Sequence, residues 1–192
     1  GPRARPPGRG TARPRPELEL GTNSIVAFGD SLTAGFGVPP DEAYPAELQR
    51  QLEAAGYRDR VINAGVSGDT TAGGVRRVEW VLKSRHRLVI LELGTNDGLR
   101  GDDPRHIRAN LEEIIRRLQS AGVTVVLAGM QLPPNYGPEY TSRFAAIYPE
   151  LARKYQLPFV PFFLEGVATL PALNLSDGIH PNGAGYRIIV ER

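Results

Sequence analysis

From about residue 23 onward the chain alternates short apolar runs with amphipathic segments. The runs Ile25 to Phe28, Arg60 to Asn63, Leu88 to Leu93, Val123 to Ala128 and Leu157 to Val160 are the strand candidates. Several are continuous and rich in Val and Ile, as strands buried on both faces are. Between them, Ile107, Leu111, Ile114, Ile115 and Leu118 form one stripe at helical period. Asp103 opens that helix as N-cap with Pro104 at its first position, and Gly122 stops it. Leu48 with Leu52, closed by Gly56, and Val75, Val78 and Leu82 mark two more helices. This alternation, repeated about five times without an internal sequence repeat, predicts a doubly wound α/β domain over residues 23–192, a parallel sheet covered by helices. Ligands in such sheets sit at the carboxyl ends of the strands. The last predicted helix begins about Asn182 and the sequence stops at Arg192, little more than two turns later, so a truncated final helix is expected.

Composition narrows the chemistry. With 192 residues, 41% of them hydrophobic, the chain suffices for one domain with a proper core. The absence of cysteine excludes disulfides, thiolate zinc sites and a cysteine nucleophile. No histidine spacing typical of metal sites occurs either.

Charge changes the picture only at the N-terminus. The formal net charge is +2, but five Arg against two Glu in residues 1–20 leave the remainder at about −1. Residues 1–22 are dense in Pro, Gly and Arg with almost nothing apolar, so they are expected to be a disordered linker or tail. Lys is absent from the first 22 residues and no aromatic interleaves the arginines, so a nucleic-acid partner is not expected. No run of roughly 18 apolar residues is present, so no transmembrane segment is expected.

Candidate chemistry starts at Ser31, which with Gly29, Asp30 and Leu32 follows the first strand. A serine hydroxyl is a poor nucleophile near neutral pH unless a base takes its proton. Asp177 and His180 supply that base: a carboxylate three residues before a histidine can turn back and fix the imidazole tautomer, as the acid does in a Ser-His-Asp triad. Gly65 and Ser67 follow the second strand, and Asn96 and Asp97 the third, so separate stretches converge on one edge. Acyl transfer needs hydrogen-bond donors where the oxyanion develops. The backbone amides of Ser31 and Gly65 and the side-chain amide of Asn96 are of the right kind, and Gly65, lacking a side chain, lets substrate approach closely.

These residues resemble the SGNH, or GDSL-type, esterases and lipases over roughly residues 23–190. Four blocks appear in order: Gly29, Asp30, Ser31, Leu32; Asn63, Ala64, Gly65 with Ser67, Gly68, Asp69, Thr70, Thr71; Gly94, Thr95, Asn96, Asp97; and Asp177, Gly178, Ile179, His180, Pro181. Leu91 to Gly101 and Pro134 to Gly137 look like the bacterial subgroup of multifunctional acyl-CoA thioesterases, arylesterases and lysophospholipases. The resemblance implies a flavodoxin-like three-layer αβα sandwich around about five parallel strands. It implies Ser31 as nucleophile, His180 as proton shuttle, Asp177 as its orienter, and Ser31, Gly65 and Asn96 as the oxyanion hole. Its substrates would be small acyl esters or thioesters, handled by a monomer with neither a metal nor an organic cofactor. An exported or periplasmic location is suggested by the resemblance and by the linker-like N-terminus.

Other features have plainer explanations. Gly65 to Gly74 lacks the Lys and the spacing of a phosphate-binding P-loop. Asp97 reads equally as a turn residue or as a support for the site, and Glu92 as structural. Asp103 and His106 repeat the three-residue spacing of Asp177 and His180, but an N-cap and a first-turn histidine facing the positive end of a helix dipole make a poorer base. His86, between two arginines, reads as a solvated connector residue. The loop Gln131 to Tyr140 offers apolar side chains, and Leu132, Tyr136 and Tyr140 are expected to line or cover the acyl site. Phe144, Phe162 and Phe163 fit either that role or the core. Two other activities fit the same chain: a carbohydrate O-deacetylase, and a non-catalytic binding module if the site is degraded.

Overall fold

A computed structural model describes residues 24–161. The N-terminal segment 1–22, Phe162, Phe163, Asp177, His180 and the helix expected from Asn182 lie outside the described residues. All five predicted strands are present: β1 (Ser24–Gly29), β2 (Arg60–Gly65), β3 (Leu88–Glu92), β4 (Thr124–Ala128) and β5 (Phe159–Val160). They form one parallel sheet in the order β2-β1-β3-β4-β5. The central strand β1 pairs on one side from Ser24↔Arg60 to Gly29↔Gly65, and on the other from Ile25↔Leu88 to Gly29↔Glu92.

The chain therefore runs outward from β1 to β2 and then crosses back over β1 to β3. Right-handed crossovers in opposite directions put their helices on opposite faces. The reversal makes the carboxyl ends of β1 and β3 the topological switch point, where open α/β sheets bind ligands.

The helices are α1 (Ser31–Ala34), α2 (Tyr44–Ala54), α3 (Thr71–Leu82), α4 (Thr95–Leu99), α5 (Pro104–Ser120) and α6 (Pro138–Tyr155). Helix α5 has the predicted ends: Asp103 caps it by accepting from the Arg105 N–H, and Pro104 is its first residue. Gly122 follows it at φ +78°, a left-handed conformation that lets the Val123 N–H reach back to the Leu118 carbonyl. The predicted stripe is buried throughout.

Two expectations shift. The buried line of α3 is Thr71, Gly74, Val78 and Val81, with Val75 and Leu82 only half-buried. Gly74 rotates the helix that way, because Leu93 and Ile114 pack so close that a Cβ there would lie 2.5 and 2.9 Å from their methyl groups. Helix α6 was not legible: two prolines and a glycine just before it read as loop, so the stripe Phe144, Ile147, Tyr148 and Leu151 went unrecognised. Phe144 belongs to the core, its ring edge-on to Tyr148 with centroids 5.6 Å apart.

The core joins Phe28, Leu91, Leu93 and Leu127 of the sheet and its edge to Ile107, Leu111, Ile114, Ile115 and Leu118 of α5. Each such side chain contributes about 1.5–3 kcal/mol on burial. At the opposite, amino edge of the sheet, Arg87 forks onto Asp59 at 3.1 and 2.9 Å. His86 is also there, in the connector between α3 and β3 as expected but half-buried, with Nδ1 2.8 Å from the Ser24 hydroxyl; burial pushes its pKa down.

Candidate active site

Three of the sequence-predicted residues come together at the switch point. Ser31 follows β1, Gly65 ends β2 and Asn96 is the second residue of α4 after β3. These three strands are neighbours, so residues spread over 66 positions share one edge.

Ser31 is buried at the first position of α1, behind the N-cap Asp30, whose carboxylate accepts from the Leu32 N–H at 3.0 Å. Beneath this turn lies a buried polar group. The Thr33 hydroxyl donates to Glu92 Oε1 at 2.9 Å, and the Asp30 N–H points at the same oxygen at 3.4 Å. Burial, with the Asp30 carboxylate alongside, pushes the Glu92 carboxyl well above the usual carboxylate range. Glu92 thus anchors the turn, in the structural role expected for it.

Gly65 differs from expectation in its reason. A Cβ at Gly65 would lie 2.2 Å from the Ala34 nitrogen and 2.7 Å from the Thr33 carbonyl carbon. The absent side chain lets the backbone of α1 close against β2, a protein neighbour rather than the substrate. The Gly65 N–H donates to Asn63 Oδ1 at 2.8 Å, and Asn63 Nδ2 donates to the Thr33 carbonyl at 3.1 Å. An incoming oxyanion at this amide would replace a neutral amide oxygen, the weaker acceptor.

Asn96 donates from Nδ2 to the Asp69 carbonyl at 2.8 Å. A carboxamide carries two N–H donors, so this bond orients the group and leaves one N–H. Asp97 resolves as a support. It is buried and accepts from the Thr71 N–H at 2.9 Å and the Thr71 hydroxyl at 2.8 Å, tying the start of α3 to α4. Burial pushes its carboxyl up against the pull of those two bonds.

Asp103 and His106 do not form a second pair of this kind. Arg105 grips the Asp103 carboxylate through its guanidinium and holds it down at about 2, and His106 is exposed on the first turn of α5.

The loop residues divide. Leu132 is buried, meeting the backbone of Gly98 beside Phe144. Tyr136 donates to the Leu99 carbonyl at 3.0 Å and Tyr140, in the first turn of α6, to the Asp102 carbonyl at 2.6 Å. The two tyrosines thereby pin the segment before α6 and the first turn of α6 onto residues 99–102, just after Asn96.

Arg77 went unnoticed in the sequence, where nothing separates it from Arg76. Its place three residues after Gly74, on the edge of the buried stripe, is the one signal that could have found it. It donates to Asp69, to the Ala64 carbonyl and to the Gly29 carbonyl, and its guanidinium lies over the Phe28 ring at 4.5 Å from the centroid.

Among the described residues no helix is long and apolar enough to cross a membrane. Residues 27–188 match the GDSL-like Lipase/Acylhydrolase family. The chain is 41% identical over 174 residues to Esterase TesA of Pseudomonas aeruginosa, covering 90% of this chain and 87% of the relative. It is 39% identical over 161 residues to Thioesterase 1/protease 1/lysophospholipase L1 of Escherichia coli K12, covering 83% and 76%. A crystal structure of TesA superposes with a TM-score of 0.85 at 41% identity, over 88% of this chain and 94% of that one. With the strand order and the ordered blocks already described, these matches establish that the chain belongs to the GDSL-like lipase/acylhydrolase family and is an ester-hydrolysing enzyme.

Proposed function

We propose that the protein hydrolyses acyl esters and thioesters through an acyl-enzyme on Ser31. The observation that carries this reading is the placement of Ser31, Gly65 and Asn96 at the carboxyl ends of three adjacent strands. Ser31 Oγ bonds to the acyl carbonyl carbon while its proton passes to His180, held in the right tautomer by Asp177. The carbonyl electron pair moves onto oxygen, where the amides of Ser31 and Gly65 and the free N–H of Asn96 receive it. Collapse expels the alcohol or thiol, protonated from His180; a water activated by the same histidine then releases the acid and regenerates Ser31. In this reading residues 23–192 form one catalytic domain acting as a monomer on small acyl substrates. An exported or periplasmic location accords with the Pro/Arg-rich segment ahead of it.

The test is rapid-mixing hydrolysis of p-nitrophenyl esters from acetyl to palmitoyl, by the native protein and Ser31→Ala. A burst or steady turnover that Ser31→Ala lowers by about 10³- to 10⁶-fold is expected. Turnover that survives in Ser31→Ala overturns the assignment. The same series run on Tyr136→Ser/Tyr140→Ser tests the loop: a changed chain-length preference is expected, and an unchanged one removes these residues from the acyl site. Faster turnover of acetylated sugars than of any acyl chain would make the enzyme a carbohydrate deacetylase instead.

A further inference from the structure

We propose that Arg77 is a positioning residue that aims both non-nucleophile donors of the oxyanion hole. The inference rests on the proposed role of Ser31, Gly65 and Asn96.

The first half of the argument is the geometry of one peptide unit. Arg77 Nη1 donates to the Ala64 carbonyl at 2.9 Å. That carbonyl and the Gly65 N–H belong to the same planar, trans peptide, so they point in opposite directions and rotate together. Holding the oxygen from behind fixes the direction of the N–H in front. It also polarises the peptide, which makes the N–H a stronger donor. Among the described residues, Arg77 is the side chain that donates to the Ala64 carbonyl.

The second half concerns Asn96. Arg77 grips Asp69 Oδ2 from Nε at 2.9 Å and from Nη2 at 2.7 Å. The carbonyl of this same Asp69 accepts from Asn96 Nδ2 at 2.8 Å and so sets the plane of the carboxamide. A shift of Asp69 therefore turns the second N–H of Asn96 away from its target. Arg77 Nη2 also donates to the Gly29 carbonyl at 3.0 Å, two residues before Ser31. One guanidinium thus ties the nucleophile strand, the Gly65 peptide and the anchor of Asn96 to one rigid fork.

The residue type suits this task. A planar guanidinium carries five N–H donors in fixed directions, whereas a lysine ammonium has three on a freely rotating head. The side chain is three-quarters buried, lying over the Phe28 ring, so few other orientations are open to it. Asp69 offsets its charge, which makes the effect one of direction rather than of a bare cation near the oxyanion.

A matched control lies at the other edge of the sheet. Arg87 forks onto Asp59 in the same manner but touches nothing at the carboxyl ends.

The experiment compares Arg77→Lys, Arg77→Ala, Arg87→Ala and Ser31→Ala with the native enzyme. For the native enzyme and the arginine variants turnover is expressed per site labelled to completion by a fluorophosphonate in a parallel sample, and for Ser31→Ala, which cannot be labelled, per mole of protein shown to be folded by circular dichroism, so that loss of folded protein is separated from loss of rate. Removing one oxyanion donor costs about 10²- to 10³-fold in kcat. Misaiming donors that remain is expected to lower kcat per labelled site about 10- to 100-fold in Arg77→Ala, with KM changed less than threefold. Arg77→Lys is expected to fall almost as far, because the fork is lost although the charge is kept. Added guanidinium at low millimolar concentration restores Arg77→Ala at least partly, and methylammonium does not. Arg87→Ala keeps the native rate per site.

Arg77→Ala and Arg77→Lys that both hold kcat per labelled site within threefold of native overturn the proposal, while native turnover still lost in Ser31→Ala leaves the catalytic reading intact. Turnover unaffected by Ser31→Ala overturns that reading, and this one with it. If Arg77→Ala yields no folded protein, Arg77→Lys decides by the same criterion.

Discussion

Thr33 and Glu92, 59 residues apart, are joined by a buried hydrogen bond of 2.9 Å directly beneath the turn that carries Ser31. Neither residue is exposed, and the acid is held above its ordinary range first by burial and then by the Asp30 carboxylate. The bond fastens the end of β3 to α1, so the turn that carries Ser31 is set by a contact between a strand end and a helix.

A raised carboxyl pKa makes stability fall as pH rises. Above the ordinary carboxylate range the unfolded chain releases this proton while the folded protein keeps it, so the unfolded state binds fewer protons and folding is progressively disfavoured until the folded pKa is passed. Glu92→Gln keeps an acceptor for Thr33 and the Asp30 N–H, and its amide can donate towards Asp30. Thermal unfolding of Glu92→Gln is therefore expected to be flatter between pH 5 and 8 than that of the native protein, with the advantage vanishing towards pH 4. Glu92→Leu leaves the Thr33 hydroxyl only the Tyr44 hydroxyl at 3.5 Å and is expected to cost about 1–3 kcal/mol at acid pH, less as the pH rises. Equal pH slopes in native and Gln variants would show that Glu92 ionises normally.

Gly65→Ala should damage both packing and rate. The added methyl meets backbone rather than a yielding side chain, 2.2 Å from the Ala34 nitrogen, so α1 must move away from β2. Overpacking of this kind costs about 1–3 kcal/mol, a drop of about 2–12 °C in Tm for a domain of this size. Because the shift separates Ser31 from the Gly65 amide, kcat is expected to fall more than 100-fold, on the scale of a lost oxyanion donor. Calorimetry and ester hydrolysis on one preparation check both halves. Native turnover with a lowered Tm would detach the amide from the chemistry.

The histidines give a pH prediction. A protonated imidazole cannot accept the Ser31 proton, so kcat/KM is expected to rise with pH through the imidazole range and then level. His180→Ala removes the activity, whereas His106→Ala, exposed beside the Arg105–Asp103 pair, leaves it within about twofold, as an exposed substitution does. The reverse pattern, read from pH profiles of the two variants, would move the base to α5.

What the sequence determined by itself was local, and most of it concerned strands and helix ends. Apolar runs of strand length placed the inner strands β1, β3 and β4, because a strand buried on both faces must be apolar at nearly every position, and shorter apolar stretches marked the edge strands β2 and β5. Asp103, Pro104 and Gly122 located the ends of α5, because unsatisfied helix termini demand particular residues. The four ordered blocks named the candidate nucleophile, base and donors. Helix α6 stayed hidden where prolines and a glycine at its start spoke for loop.

Tertiary structure decided which long-range partners each polar group has. Gly65 is small because of the Thr33–Ala34 backbone, the Glu92 carboxyl is held above its ordinary range by burial and by the Asp30 carboxylate, and Arg77 joins Ala64 and Asp69 to Gly29, 48 residues before it. No periodicity or cap encodes such contacts. They arise only when the crossover from β2 over β1 to β3 brings the strand ends together, and a hydrogen bond depends on that final distance and direction rather than on separation along the chain.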